Sequence, residues 1–335
     1  MIRRRVFNTS LLAATVAGAT AARAQDPFPN RPIRLVVGLA PGGIADITAR
    51  IVAPRLSEVL GQPVVVENRT GAGGAIATRA VAASAPDGHT LLVAFDGTHV
   101  TIPAANAAAG FDPVADFAPI GKIVDAPVLI TAHPSFPAND FAEFIGLSRR
   151  VLTMGGGPRI FDYGTAGVGS TGHLTMELLK LRLGLFAVHI PYRGGGDARA
   201  QVLGRQIPLM LAAVPTTSGD IRAGVLKGLA VTSAKRSPVL PHVPTLAELP
   251  HRELKGLDVN SWVGLVAPAR TPATVVARLD AALRQTLATE EVSARLLQSG
   301  ATPVRSSPEI FSRQIAADFG QWKRVVTESK LRLDA

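Results

Sequence analysis

The chain contains no cysteine. That excludes disulfides, zinc–thiolate sites, thiol catalysis and a lipidated cysteine anchor, and it leaves stability to the core alone. Aromatic residues are scarce, at 5%, and no run of adjacent Lys and Arg is interleaved with them. The footprint of a nucleic-acid binder is therefore missing. No stretch reaches the roughly 18 uninterrupted apolar residues of a membrane span. The seven histidines, at 89, 99, 133, 173, 189, 242 and 251, form no H-E-x-x-H pair and no helical ligand spacing. A G-x-S-x-G elbow, an S-x-x-K serine and a Walker lysine are also lacking. The expectation is a protein without metal, cofactor or catalytic role.

The N-terminus is distinctive. Arg3-Arg4-Arg5 is a basic segment, Leu11–Ala22 is apolar and small, and Ala22-Arg23-Ala24 is an A-x-A cleavage site. Residues 1–24 therefore read as an export signal, which predicts a periplasmic protein. Arg4-Arg5-Val6-Phe7 also fits a twin-arginine pattern, so Sec and Tat export both stay open. The leader carries four arginines (3, 4, 5 and 23), leaving +6 of the chain's +10 on the remainder. Such a charge attracts anions weakly and keeps the protein soluble. The remaining length suits two domains, and 47% hydrophobic composition permits a core without crosslinks.

Beyond the leader, short β-type runs alternate with helical patterns. Strands are expected at Ile33–Leu39, Pro63–Glu67, Thr90–Ala94, Pro127–Ala132, Ile160–Tyr163, Ala187–Ile190, Ile207–Ala212, Gly228–Thr232 and Val259–Ala267. Helices are expected at Ile44–Leu60, Ala75–Ala83, Asn139–Leu147, Gly172–Leu183, Asp197–Leu203, Pro272–Ala288, Glu290–Ser299 and Pro308–Glu328. This alternation predicts an α/β fold with mostly parallel sheets flanked by helices. Phe311, Ile315, Phe319 and Trp322 recur at helical spacing and read as a core-facing stripe. Composition changes fall at Phe111–Pro127 and at the proline-rich 238–250.

Glycine turns that open helices carry the functional signal. In Ala40-Pro41-Gly42-Gly43 the chain passes from an apolar strand into a helix. The bare N–H groups and partial positive charge of the helix end there suit a carboxylate. Asp46, in the first helical turn, either satisfies those N–H groups or accepts from a ligand. The second turn runs from Gly164 through Thr165, Gly169, Ser170 and Thr171 to His173. Ser170 and Thr171 can donate through hydroxyl and backbone together, and His173 is either a donor or a first-turn residue. Glycines 167, 169 and 172 form a G-x-G-x-x-G, but a dinucleotide site wants an acid about 20 residues on. His189, Tyr192 and Arg193 stand there instead. Gly71-Ala72-Gly73-Gly74 reads as a helix–strand packing turn or a further anion seat, with Arg69 beside it facing Glu67 or Asp46. In Pro191–Asp197, Arg193 can take a second carboxylate bidentately or form an ion pair.

The APGG…D…AR block at 40–50, VVVENR-x-GAGG at 64–74 and PDG-x-TLL at 86–92 resemble the Bug-type substrate-binding proteins of tripartite tricarboxylate transporters. So do DFAPIG (116–121), YGTAGVGSTGHL (163–174), HIPYRGGG (189–196), LAVTSAKRSPVLPHVPTLAE (229–248) and SWVGLVAPARTP (261–272). The resemblance implies a two-lobed fold like type II periplasmic binding proteins, with residues 25–125 plus 253–335 as one lobe and 126–252 as the other. It implies a monomeric solute receptor that grips a small carboxylate between Ala40–Asp46 and Gly164–His173 and delivers it to membrane permease subunits. The alternatives are a ligand-sensing accessory docking on a sensor kinase ectodomain and an exported hydrolase. Two departures bear on the ligand. Leu211-Ala212-Ala213 stands where many relatives carry a Phe-Asp-Asn-type segment, which predicts a carboxylate without an amino group: an aromatic acid, dicarboxylate or tricarboxylate. Ala-rich Thr101–Gly110 replaces a loop that usually bears Tyr or Leu.

Overall fold

The computed structural model describes residues 28–154 and 161–329. The expected leader, residues 1–24, lies outside them, as does Ile160 at the start of the expected fifth strand. No helix among the described residues is long and apolar enough to cross a membrane.

The first half opens with β1 (Ile33–Val37), α1 (Ile44–Leu60), β2 (Val64–Asn68), α2 (Ala75–Ala82) and β3 (Thr90–Phe95). A π-turn at Gly97–Thr101 then leads into α3 (Ile102–Ala105). The long strand β4 (Phe117–Ala132) carries the chain into the second half. There it builds α4 (Phe141–Thr153), β5 (Asp162–Thr165), α5 (Thr171–Leu183), β6 (Val188–Pro191), α6 (Gly195–Leu203), β7 (Leu209–Ala213), α7 (Ser218–Arg222) and β8 (Lys227–Val231). The return strand β9 (Asn260–Pro268) leads to α8 (Ala273–Ala288), α9 (Glu290–Ser299), β10 (Thr302–Pro303) and α10 (Pro308–Ser329).

The strand order is β2-β1-β3-β9-β4-β7-β5-β6, with β8 and β10 also on β4. The sheet is mixed rather than mostly parallel. β1 pairs in parallel with β2 and β3, and β5 with β6 and β7, whereas every pairing of β4 and β9 is antiparallel. The reason is the layout: one strand leaves the first half and another returns, so the two must run in opposite directions side by side. β4 pairs with β9 from Phe117 to Pro127 and with β7 and β8 from Val128 to Ala132. Its partner change divides the molecule into two halves there. Thr232 clasps the crossing: its Oγ1 accepts from the Val128 N–H at 3.0 Å and donates to the Val259 carbonyl at 2.6 Å. Leu254 and Leu257 still pack in the second half's core, and the chain pairs with the first sheet from Asn260.

Each half buries both faces of its strands. In the first, α1, α8 and α9 cover one face around Leu35, Val52, Leu56 and Leu283. α2 and α10 cover the other, where Phe311 and Ile315 are buried and Phe319 and Trp322 pack at the edge. The stripe on α10 is thus a core face, and Ser307 Oγ caps that helix by accepting the Ile310 N–H at 3.3 Å. In the second half, α4 and α5 enclose Phe141, Phe144, Phe161 and Leu179. Burying a side chain of this size removes it from water at a gain of about 1.5–3 kcal/mol each.

Candidate functional site

At the end of β1 the chain turns through Gly42, whose φ of +82° suits glycine. Gly43 caps α1 in extended conformation. Asp46 braces this turn. Its carboxylate accepts from the Gly42 N–H at 2.9 Å, Arg50 Nε at 2.9 Å and Asn68 Nδ2 at 3.0 Å. Of its two sequence readings, the structure has the bracing one. Arg69 pairs with Glu67 at 2.6 Å, not with Asp46.

The second turn is braced without charge. Thr165 Oγ1 accepts from the Gly167 N–H at 3.2 Å, donates to the Gly167 carbonyl at 3.0 Å and meets His189 Nε2 at 2.7 Å. Gly169, at φ +76°, donates its N–H to His173 Nδ1 at 3.1 Å. Ser170 caps α5 by accepting the His173 N–H at 3.4 Å, which leaves its hydroxyl proton free to donate. His173 stacks on His189 with ring centroids 3.8 Å apart. Burial holds His173 down at about 4 and His189 at about 3, so both rings are neutral at pH 7. His173 sits in the first turn of α5 and braces the loop through Nδ1. Thr171 also serves the protein itself: its hydroxyl donates to the Asp96 carboxylate at the end of β3. It lies on a separate groove of about 730 Å³ that includes Asp96, Trp262 and Trp322.

A third turn, Pro191–Gly196, completes the arrangement; the sequence marks it as a glycine turn before a helix, with Arg193 as its candidate ligand residue. The Ala40 N–H donates to the Arg193 carbonyl at 3.0 Å, joining the two halves. Backbone packs on backbone beside it. A Cβ on Gly196 would lie 1.8 Å from the Pro41 carbonyl oxygen, and one on Gly194 would lie 2.7 Å from the Ala40 nitrogen. No side chain fits at either position, so these glycines allow the halves to meet. The Arg193 side chain is 74% exposed and pairs with Asp197 at 2.7 Å.

Two spaces lie against these turns. The inner one, about 20 Å³, is lined by Gly43, Ile44, Ala166, Ser170, Gly195 and Thr216, with Leu211, Ala212 and Ala213 behind them. That is room for roughly one water or one ligand oxygen. The outer one, about 530 Å³, runs along Gly71–Gly73, Arg79 and Ile102 of the first half and Val168, Tyr192 and Arg193 of the second. Their linings lie close along the loops: Ala166 lines the inner space and Gly167 the outer, while Gly195 lines the inner and Arg193 the outer. The Ala-rich 101–110 segment contributes Ile102, Ala105, Asn106, Ala108 and Ala109 to the outer wall.

The inner space is an electropositive backbone pocket. The N-termini of α1, α5 and α6 all reach it, at Gly43–Ile44, Ser170–Gly172 and Gly195. The first N–H groups of a helix have no intrahelical partner and carry partial positive charge. No acidic side chain lines this space. Among the described residues no cluster of His, Asp and Glu could hold a metal ion.

An α/β fold of two halves joined by crossing strands is that of the periplasmic binding proteins. More narrowly, the chain belongs to the family described as Tripartite tricarboxylate transporter family receptor, TctC, whose profile matches residues 48–331. BugT of Bordetella pertussis is 32% identical over 318 residues, covering 95% of each chain. The structure of Rpa4515 of R. palustris with adipate aligns at a TM-score of 0.83 and 34% identity, over 90% of this chain and 97% of that one. MatC (Rpa3494) from Rhodopseudomonas palustris with bound malate aligns at 0.81 and 32% identity, over 89% of this chain and all of the other (100%).

Proposed function

We propose that this protein is an extracytoplasmic solute receptor that binds a small carboxylate lacking an amino group and hands it to membrane permease subunits. The convergence of three helix N-termini on one acid-free pocket carries the reading. Backbone N–H groups aimed at a common point favour a carboxylate and oppose a cation. Leu211, Ala212 and Ala213 line the same pocket, so a ligand ammonium would find no side-chain carboxylate there. Leaving such a charge buried and unpaired is costly. Two bound relatives, with adipate and with malate, are consistent with acids of this kind.

The ligand would enter between parted lobes, point one carboxylate oxygen into the inner space and rest its body in the outer cleft. Contacts to both halves then stabilise the closed form, because only that form makes them all. Bridging waters let one scaffold accept varied acids. Export by the 1–24 leader would place the receptor in the periplasm. The permease would read the closed form.

Calorimetry decides the ligand class. Citrate, simple aromatic acids and linear diacids are expected to include binders, and aspartate and glutamate to be silent. Tight binding of the amino acids alone would sink the proposal.

A further inference from the structure

We infer that Arg79 selects for acids carrying a second anionic group, so that the preferred ligands are dianions with an apolar spacer. The inference rests on the carboxylate reading above and concerns the other end of the ligand.

The inner space holds about 20 Å³, room for about one ligand oxygen. Everything else in a ligand must lie in the 530 Å³ outer cleft. Ile102, Ala105 and Val168 give that cleft apolar wall, and its charged residues are Arg79, Arg193 and Asp197. Arg193 and Asp197 neutralise each other at 2.7 Å. Arg79 has no carboxylate partner among the described residues. Its Nη1 donates to the Ala109 carbonyl at 2.8 Å, and its Cδ lies where a Cβ on Gly110 would approach to 3.0 Å. This contact anchors the side chain, which is half-buried. A guanidinium has five N–H donors in a planar fork, and one carbonyl leaves most of them free for a carboxylate. An anchored, half-dehydrated arginine on the wall of an anion-binding cleft is well suited to recognise that group.

Holding the Ala107–Ala109 turn is a structural role the same contact would serve, and the test separates the two. The probes are the linear diacids from succinate to suberate, each beside the monocarboxylate of equal chain length. Calorimetry is run on wild type, Arg79→Gln and Arg79→Lys, with melting curves to verify folding. At the best chain length the wild type should prefer the diacid by roughly 10- to 100-fold. Arg79→Gln, which can still donate to the Ala109 carbonyl, should bring that preference to within about twofold, with the monocarboxylate affinity unchanged. Arg79→Lys should keep part of it. A diacid preference that survives Arg79→Gln, or an equal loss for both acids, overturns this inference alone. Failure of the wild type to bind any acid would overturn the carboxylate reading with it.

Discussion

The turn at Ala40–Gly43 is held by a charge and the turn at Gly164–Ser170 by neutral groups. Asp46 takes three donors in the first, while in the second Thr165 hydrogen-bonds His189, and His173 accepts from Gly169 and stacks on His189. Both present much the same thing to the space between them: the bare end of a helix. The polar side chains that stand out in these segments are therefore mostly occupied in shaping backbone. Under the proposed function, the ligand would meet the backbone N–H groups and the Ser170 hydroxyl. A receptor built this way can share its anion seat with relatives that bind different acids, because the seat's chemistry does not depend on which side chains brace it.

The third turn is where that comparison breaks most readily. Gly196→Ala would set a Cβ 1.8 Å from the Pro41 oxygen. Each half should fold, but they should not close. Apparent affinity scales with the fraction of molecules able to close, so binding should weaken by roughly 100-fold or more. X-ray scattering should show a ligand-independent, more open shape. Gly43→Val is a less clean probe, since a Cβ there meets Gly195 N at an ordinary 3.5 Å and only the branched carbons reach into the anion pocket. Unchanged affinity in Gly196→Ala would remove closure of the two halves from the binding mechanism.

The second turn differs from the first in one further respect: it reaches across the molecule to Asp96. Burial pushes that carboxyl up to about 7 despite the Thr171 hydroxyl beside it. The folded value thus lies above the unfolded value of about 3.9. Stability from the retained proton is complete below about pH 4 and is lost as pH rises through about 7. Three histidines act in the opposite sense. Burial holds His99 and His173 at about 4 and His189 at about 3, so each contributes stability above about pH 6.5 that is lost as pH falls through its folded value. A wild-type melting profile mixes both trends. The difference between Asp96→Asn and wild type isolates the first, because an asparagine oxygen can still accept from Thr171. That difference should grow in favour of the variant from pH 4 to pH 7 and level off above, with an upper bound of about 4 kcal/mol. A constant offset across the range would show that Asp96 does not titrate there.

These cross-molecule contacts mark the limit of what could be read from the chain. The β1–turn–α1 and β5–turn–α5 units are visible in sequence because glycine, helix caps and apolar runs are local signals. The first half of β4 was not. Its register shifts between Pro119 and Gly121 and between Lys122 and Val124, so the period-2 pattern is broken, and Pro119 and Pro127 imitate a loop. The helical turns at 97–105 were missed because Thr98, Thr101 and Pro103 are poor helix formers held there by packing. Sheet direction was misjudged because no local feature says that β4 and β9 pair. Glycines 194–196 stood out as a turn before a helix, but their need for backbone contact with Pro41 comes from a segment about 150 residues away. Asp96 carried no motif at all.

Within the second turn, adjacent residues should fail in different assays. Ser170→Ala removes a donor from the inner space and should weaken ligand binding by about 1–3 kcal/mol, while loss of its weak α5 cap adds a modest drop in melting temperature. Thr171→Val removes the partner of a buried carboxylate and should lower the melting temperature instead. Binding is affected only through closure of the two halves. If both substitutions weaken binding equally and leave stability alone, Thr171 faces the ligand after all.

The smallest effect is expected at the residue that looked most like a ligand cation. Arg193 is mostly exposed, and its guanidinium already serves Asp197 four positions on. An exposed pair of this kind contributes about 0–1 kcal/mol, and the part of Arg193 that joins the two halves is its carbonyl, which any residue supplies. Arg193→Gln should therefore leave folding intact and shift ligand affinity by less than about 1 kcal/mol, measured by calorimetry on the same diacid series used for Arg79. Arg79 and Arg193 line one cleft, but only the first lacks a carboxylate partner among the described residues. A larger loss at Arg193 than at Arg79 would reverse their assignment. The Arg193–Asp197 pair would then have to open on binding, with Asp197 left to the solvent.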